Sequence, residues 1–374
     1  MNRVGPQLPA MRPAPNRNVC APCRLAIPLA VFAVLLAATP ACGWGDRAHY
    51  LITEEAVARL PEPLKGLLSE ATRLERLQAA SIAPDAWRDD ASEHYSPDER
   101  PKHFFDIDAI TDEPPPFPTF PRDRRAAEAR FGPEVFREKG TAPWAAADAM
   151  EALADALAAG RTEQIFHHAG AMAHYVADLH MPFHVTENYD GKATGNPGIH
   201  KALEIGLVNR YAVFYAGEVR RDRTVVPYLD RPVEALFDSL IEAHAQVRPI
   251  LEADTVARKK TGYNPKQHER APEGEVSDLD DVESERARPY YATLKQELEQ
   301  RGSPEAVQMR RAAQRTAEML YTAWVAAAKP LSLAPVPADA DDSSPVPYWS
   351  VGLMLAVVFL LLWPRRKPAP PPSS

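Results

Sequence analysis

Two pairs of residues set the chemistry available to this chain. His174 and Asp178 stand at i and i+4, so on a helix they share one face a turn apart. Pro182 ends or kinks that helix, and His184 follows, free to turn back toward the same face. A loop rich in Gly and Asn runs from Tyr189 to Gly198, and a second i, i+4 pair comes after it as His200 and Glu204. Imidazoles and carboxylates in this arrangement suit Zn²⁺, which takes nitrogen and oxygen ligands at about 2.0–2.2 Å. Each pair offers two ligands from one rigid element, which lowers the entropy cost of closing a site. One such pair is what any polar helix face shows by chance. Two pairs bridged by His184 point to metal.

Further donors lie upstream. WGDRAH supplies Trp44 and His49, SIAPDAW supplies Asp85, and PKHFFDID supplies His103. If the chain is cut before Trp44, the new α-amine, of reference pKa about 8, can lose its proton to a metal and chelate it together with the Trp44 carbonyl oxygen.

The elements that must position these donors read as helices throughout. Asp46–Leu60 is apolar at helical spacing and is stopped by Pro61, and residues 63–80 repeat the pattern. Residues 81–121 read as loop, closing on DEPPPFPTFP. Short helices are expected at 122–131 and 134–139, a helical hairpin at 143–159 and 162–179, and further helices at 199–216, 232–253, 288–300 and 304–328. The charged stretch 254–287 reads as a surface insertion. No strand alternation or internal repeat is present, so the expected fold class is all-α.

The chain has 374 residues, 45% of them hydrophobic, ample for one large domain. Its formal charge of −8 argues against a nucleic-acid binder held by a basic surface, though bound metal ions can supply positive charge locally. Residues 1–43 resemble an export signal, with a basic start, an apolar run over Leu25–Leu36 and small residues before Trp44; lipidation at Cys42 is the alternative. All three cysteines precede Trp44, so the domain expected at 44–329 is stable without disulfides. Residues 330–347 have linker composition. The nearly apolar run 348–364 carries Tyr348, Trp349 and Trp363 at its ends, and the tail 365–374 opens with Arg365, Arg366 and Lys367. Together these predict a transmembrane anchor with a cytoplasmic tail, leaving the domain on the periplasmic or extracellular side, as a monomer.

In order and spacing, Trp44, His49, Asp85, His103, His174, Asp178, His184, His200 and Glu204 resemble the trinuclear zinc site shared by bacterial zinc-dependent phospholipases C and the single-strand-specific nucleases of fungi and plants. That resemblance implies an all-α phosphodiester hydrolase with three zinc ions. It implies one zinc on Asp85, His103, His174 and Asp178, a second on the Trp44 amine and carbonyl, His49 and the bridging Asp178, and a third on His184, His200 and Glu204. Departures from the pattern are Ala177 and Met181, where the nucleases commonly have Gly and Gln. Glu204 is the phospholipase choice, whereas the close Trp44–His49 spacing resembles the nucleases. His180 is expected to point away from the Asp178 face, and His94, His167, His168 and His244 have no matching role.

Two zinc ions sharing Asp178 would acidify a bridging water to give a hydroxide nucleophile, with Asp85 orienting or deprotonating it. The third would stabilise the leaving alkoxide. Phospholipid head groups are the favoured substrate. Single-stranded DNA or RNA is the alternative and needs aromatic surfaces for stacking, for which Phe104, Phe105, Phe183, Tyr189 and Trp144 are candidates. A tethered zinc-binding module without catalysis is the third reading.

Overall fold

The computed structural model describes residues 44–89, 98–268, 285–330 and 332–333. The leader 1–43, nearly all of the linker, the apolar run 348–364, the basic tail and His94 lie outside the described residues. Among the described residues no helix is long and apolar enough to cross a membrane.

The fold is all-α. The described residues hold no strand, only an isolated antiparallel bridge between Phe105 and Gly140. Helices cover Asp46–Arg59, Ala142–Ala158, Thr162–Leu179, Pro232–His244, Val247–Thr261, Arg288–Gln300 and Pro304–Ala326, with shorter turns between them. At the centre runs Thr162–Leu179, buried at 14 of its 18 positions. A helix covered nearly all round must be packed on several sides. Its residues Tyr175, Val176 and Leu179 join one apolar cluster, together with Ala56, Val57 and Trp144. Ala177 joins a second cluster with Trp44, Ala48, Ile52, Phe183 and Leu203. Asp46–Arg59 and Thr162–Leu179 therefore contribute to both clusters, and between them carry His49, His174 and Asp178.

Several helix boundaries differ from the sequence expectation. The stretch 63–80 is two helices, Leu64–Leu68 and Ala71–Ala80, because Glu70 turns extended and caps the second one through the Thr72 amide at 3.2 Å. Residues 81–121 are not all loop. They include Ala83–Asp89, Arg100–His103 and Ile107–Ile110, each too short to show a periodic apolar stripe. The helix expected at 199–216 is broken into Ile199–Lys201, a π-helical Ala202–Leu207, Val208–Arg210 and the start of Ala212–Val219. The helix expected at 232–253 stops at His244. A new one starts at Val247, where Pro249 sits in the first turn and costs no hydrogen bond. That second helix runs to Thr261, so the first part of the expected surface insertion is ordered helix with Asp254 fully buried.

Candidate metal centre

His174 and Asp178 lie at the C-terminal end of the central helix, both wholly buried. The orientation of His174 depends on a close crossing of helices. A Cβ on Gly170 would lie 2.4 Å from the Ala80 Cβ and 2.5 Å from the Ala80 carbonyl oxygen. Only glycine allows this approach. It brings the end of Ala71–Ala80 close enough for His174 Nδ1 to donate to the Ser81 carbonyl oxygen at 2.8 Å. With Nδ1 carrying the proton, Nε2 is left to face the cluster.

The 3-10 turn Pro182–His184 repeats this device. His184 Nδ1 donates to the His103 carbonyl oxygen at 2.8 Å, and the Phe105 amide returns a bond to the His184 carbonyl at 2.8 Å. His103 and His184 are thereby fixed to one another although far apart in the chain.

Three groups of donor atoms result. In the first, His103 Nδ1 and His174 Nε2 are 2.9 Å apart and each lies 3.2 Å from Asp178 Oδ2. Asp85 Oδ1 completes it at 3.7 Å from His103 Nδ1 and 3.9 Å from His174 Nε2. The second joins His49 to His174 and Asp178. The His49 Nε2 atom is 3.5 Å from Asp178 Oδ1, and its ring stacks on His174 at 4.2 Å. In the third, His200 Nε2 is 3.0 Å from His184 Nε2 and 3.1 Å from Glu204 Oε2. Ligands at about 2.0–2.1 Å in a tetrahedron stand about 3.3–3.4 Å apart, so these separations bracket a zinc coordination shell.

Zinc also fits the polar accounting. His49 Nδ1 and Nε2, His103 Nε2 and Asp178 Oδ1 are buried and make no hydrogen bond. Each such group costs about 1–3 kcal/mol unless something else binds it. Without a cation the charges strain against one another. Burial opposes protonation of His174, yet Asp178 and Asp85 hold its pKa up at about 9. Burial pushes His103 down to about 4 and His184 down to about 3, and it pushes Asp85 up to about 7. The Asp178 carboxyl stays well below its usual range despite burial, because His174 and His184 surround it. A dication resolves this conflict by replacing protons among lone pairs that already converge.

All eight side chains expected as ligands, from His49 to Glu204, fall in these groups. The Trp44 side chain is buried in the second cluster, and its backbone runs beside the Glu204 turn, where a Cβ on Gly45 would lie 3.5 Å from the Glu204 carbonyl oxygen. His180 is buried with Nδ1 donating to the Val176 carbonyl at 2.7 Å and belongs to no donor group. His167 is exposed and stacks on Trp87 at 4.7 Å, while His168 meets His167 edge-on. His244 holds Asp108 at 3.2 Å, and Asp108 in turn accepts from Thr186 at 2.6 Å, two residues past His184.

Two residues beside the centre had no sequence signal beyond a local charge. Arg88 donates to Asp85 Oδ1 at 2.9 Å from three residues along the same short helix. Glu99, buried and bonded by the Tyr175 hydroxyl, places Oε1 3.7 Å from His103 Nε2. A separate polar cleft of about 380 Å³ is lined by Phe214, Glu218 and Arg310 among others. It includes no donor residue of the metal centre, and its arginines pair with acidic residues of the same lining, as in Arg221–Glu218 and Arg310–Asp222.

No curated protein matches the chain. Residues 48–247 match the family described as zinc dependent phospholipase C, a span that begins one residue before His49 and takes in every side-chain donor named above. With more than half its length in that match, and with histidine and carboxylate groups at zinc-ligand separations inside it, the chain belongs to the zinc-dependent phospholipase C family.

Proposed function

We propose that this chain is a zinc-dependent phosphodiesterase that cleaves phospholipid head groups, working outside the cytoplasm and tethered there by the segment 348–364. The observation that carries the reading is where the donor cluster opens. The Asp85 side chain is 23% exposed and that of His200 is 12% exposed, whereas His49, His174, Asp178 and Glu204 are sealed. A purely structural zinc site is closed, and a catalytic one keeps a position open. The solvent-facing side of this centre is the side of Asp85 and His200, where substrate is proposed to approach.

Zinc bound here supplies Lewis acidity, acidifying water and offsetting charge on the phosphoryl oxygens. The chain's own residues set the geometry. Asp178 turns Oδ2 to one donor group and Oδ1 to another, so both are held at a fixed spacing. The Ser81 and His103 carbonyls hold the His174 and His184 protons on Nδ1, keeping both Nε2 lone pairs inward. Arg88 binds Oδ1 of Asp85 and orients that carboxylate, the group proposed to orient or deprotonate the attacking water.

The nuclease reading keeps one supporting observation. Of the five aromatic candidates for base stacking, Phe105, Phe183 and Trp144 are core residues and Phe104 is half-buried. Tyr189 is 50% exposed, with its ring 6.1 Å from that of His200. A single aromatic at the rim gives a stacked base one platform. Turnover of zinc-loaded protein on phosphatidylcholine, single-stranded DNA and a generic phosphodiester separates the readings. Release of phosphocholine at a rate well above cleavage of the other two is the expected result. Preference for DNA, abolished by Tyr189→Ala, replaces the lipid reading with the nuclease one, and no turnover on any substrate leaves a zinc-binding module.

A further inference from the structure

We infer that Asp254 is a positioning residue for the His184–His200–Glu204 group, acting through Asn196. The inference rests on the zinc reading above. Asp254 lies beyond the family match and has no exposed surface. Three donors converge on its carboxylate: Tyr290 Oη at 2.5 Å on Oδ1, with Arg258 Nε at 2.5 Å and Asn196 Nδ2 at 2.7 Å on Oδ2. Tyr290 and Arg258 belong to the C-terminal helices. Asn196 does not, since it lies in the loop that delivers His200, 58 residues away in the chain.

The same helices grip that loop at adjoining points. Arg258 Nη2 donates to the Pro197 carbonyl at 2.9 Å, so one guanidinium spans Asp254 and the loop backbone. Asn196 Nδ2 also reaches Thr255 Oγ1 at 3.0 Å. Gly198 follows at φ +86°, and a Cβ there would lie 2.9 Å from the Lys266 amide nitrogen. The His200 helix begins at the next residue, and the Ala202 amide closes its first turn on the Gly198 carbonyl at 3.1 Å. The path from Asp254 to His200 is therefore Asn196, Pro197 and Gly198: the first two are bonded from the C-terminal side, and the third passes close to Lys266 while its amide is held by Asp190 Oδ1 at 2.9 Å.

A buried carboxylate with a guanidinium is an expensive way to hold a loop, because apolar packing of the same volume is often as stable or more so. What the ionic arrangement adds is a single register. Sliding the loop by one residue would set Gly195 or Pro197 opposite Asp254, and neither has a side-chain donor. Fixing that register fixes where His200 meets His184, at 3.0 Å between Nε2 atoms.

The test is zinc content and affinity by chelator competition, on full-length zinc-loaded protein at a temperature where each variant is folded by circular dichroism. Asn196→Ala and Asp254→Asn are expected to hold one zinc fewer than wild type, with its affinity lowered about 10–100-fold, as when an outer-shell partner is lost. Tyr290→Phe removes a bond to Asp254 without touching the loop. It is expected to lower Tm and leave every zinc in place, which a merely structural role of the cluster would predict for all three variants. If Asp254→Asn does not fold, Asn196→Ala decides alone, since it leaves Asp254 bonded to Arg258 and Tyr290. Asn196→Ala with wild-type zinc affinities overturns the inference. Wild-type protein that takes up no zinc overturns the metal reading itself, a separate and distinguishable failure.

Discussion

Asp178 meets His49 through Oδ1, 3.5 Å from Nε2, while its Oδ2 lies 3.2 Å from both His103 Nδ1 and His174 Nε2. One carboxylate thus serves two donor groups. Asp178→Asn keeps the shape and one carbonyl oxygen but removes the negative charge that, in the proposed centre, would balance two dications. The expected result is loss of at least one zinc and a fall in kcat exceeding the 10–100-fold typical of an outer-shell change, whatever the phosphodiester used. Wild-type zinc content and rate in this variant would sink the bridging assignment.

Gly170 offers a test at a distance from any ligand. Its Cβ position overlaps Ala80 at 2.4 Å, so Gly170→Ala must push the Ala71–Ala80 helix away and carry Ser81 off His174. Overpacking of this kind costs about 1–3 kcal/mol. Thermal melts of zinc-loaded and metal-free protein are expected to show the loss in both states. Zinc affinity is expected to fall as well, because His174 Nδ1 loses the acceptor that fixes its tautomer.

Maturation can be probed at Trp44. If its α-amine chelates zinc, a residue added before Trp44 should lower metal content and turnover together. An extended protein with full zinc and full rate would remove Trp44 from the ligand set and leave the second group with side chains only.

Glu305 gives a pH dependence free of the metal. It is 1% exposed, accepts from Tyr215 Oη at 2.9 Å, and burial pushes its carboxyl up to about 7. Between its ordinary value near 4.5 and about 7 the folded chain keeps a proton that the unfolded chain has released. Stability from this residue is therefore full below that window and is lost as pH rises through it. Glu305→Gln keeps an acceptor for Tyr215 and cannot ionise. Relative to wild type it should gain stability from pH 4.5 to 7 by at most about 3 kcal/mol and then level off. Denaturant melts of both proteins at several pH values check the sign.

Much of the centre was legible because its ligands come in local patterns. His174 with Asp178 and His200 with Glu204 sit at helical spacing, and Pro182 marks the turn that returns His184. The long helices follow the same logic, since an apolar stripe is visible wherever it lasts three turns. Asp254 was not legible. It stands in a run of charges that reads as solvated, and its burial depends on Asn196 and Tyr290, neither of which shares a local pattern with it. Asp85 is expected from the sequence as a donor in a loop; it does join a donor group, but from a short helix whose seven residues are too few to display a period. Arg88 and Glu99 were missed for a related reason: a charge next to a ligand in sequence does not say which way it faces.

The backbone and imidazole bonds that tie His103 to His184 close a loop of 81 residues. A zinc ion meeting the unfolded chain finds only donors that are close in sequence, such as His174 with Asp178 or His184 with His200 and Glu204. The set that includes His103 waits on that closure, whose entropy cost falls on the chain, whereas His184, His200 and Glu204 stand close together in sequence and do not need it. Zinc bound to the His103 set would act as a latch on a structure already formed. It would slow the opening rate and leave the closing rate nearly unchanged, as expected for contacts absent from the folding transition state. On the zinc reading proposed above, the metal would set the lifetime of the native state more than the speed of reaching it.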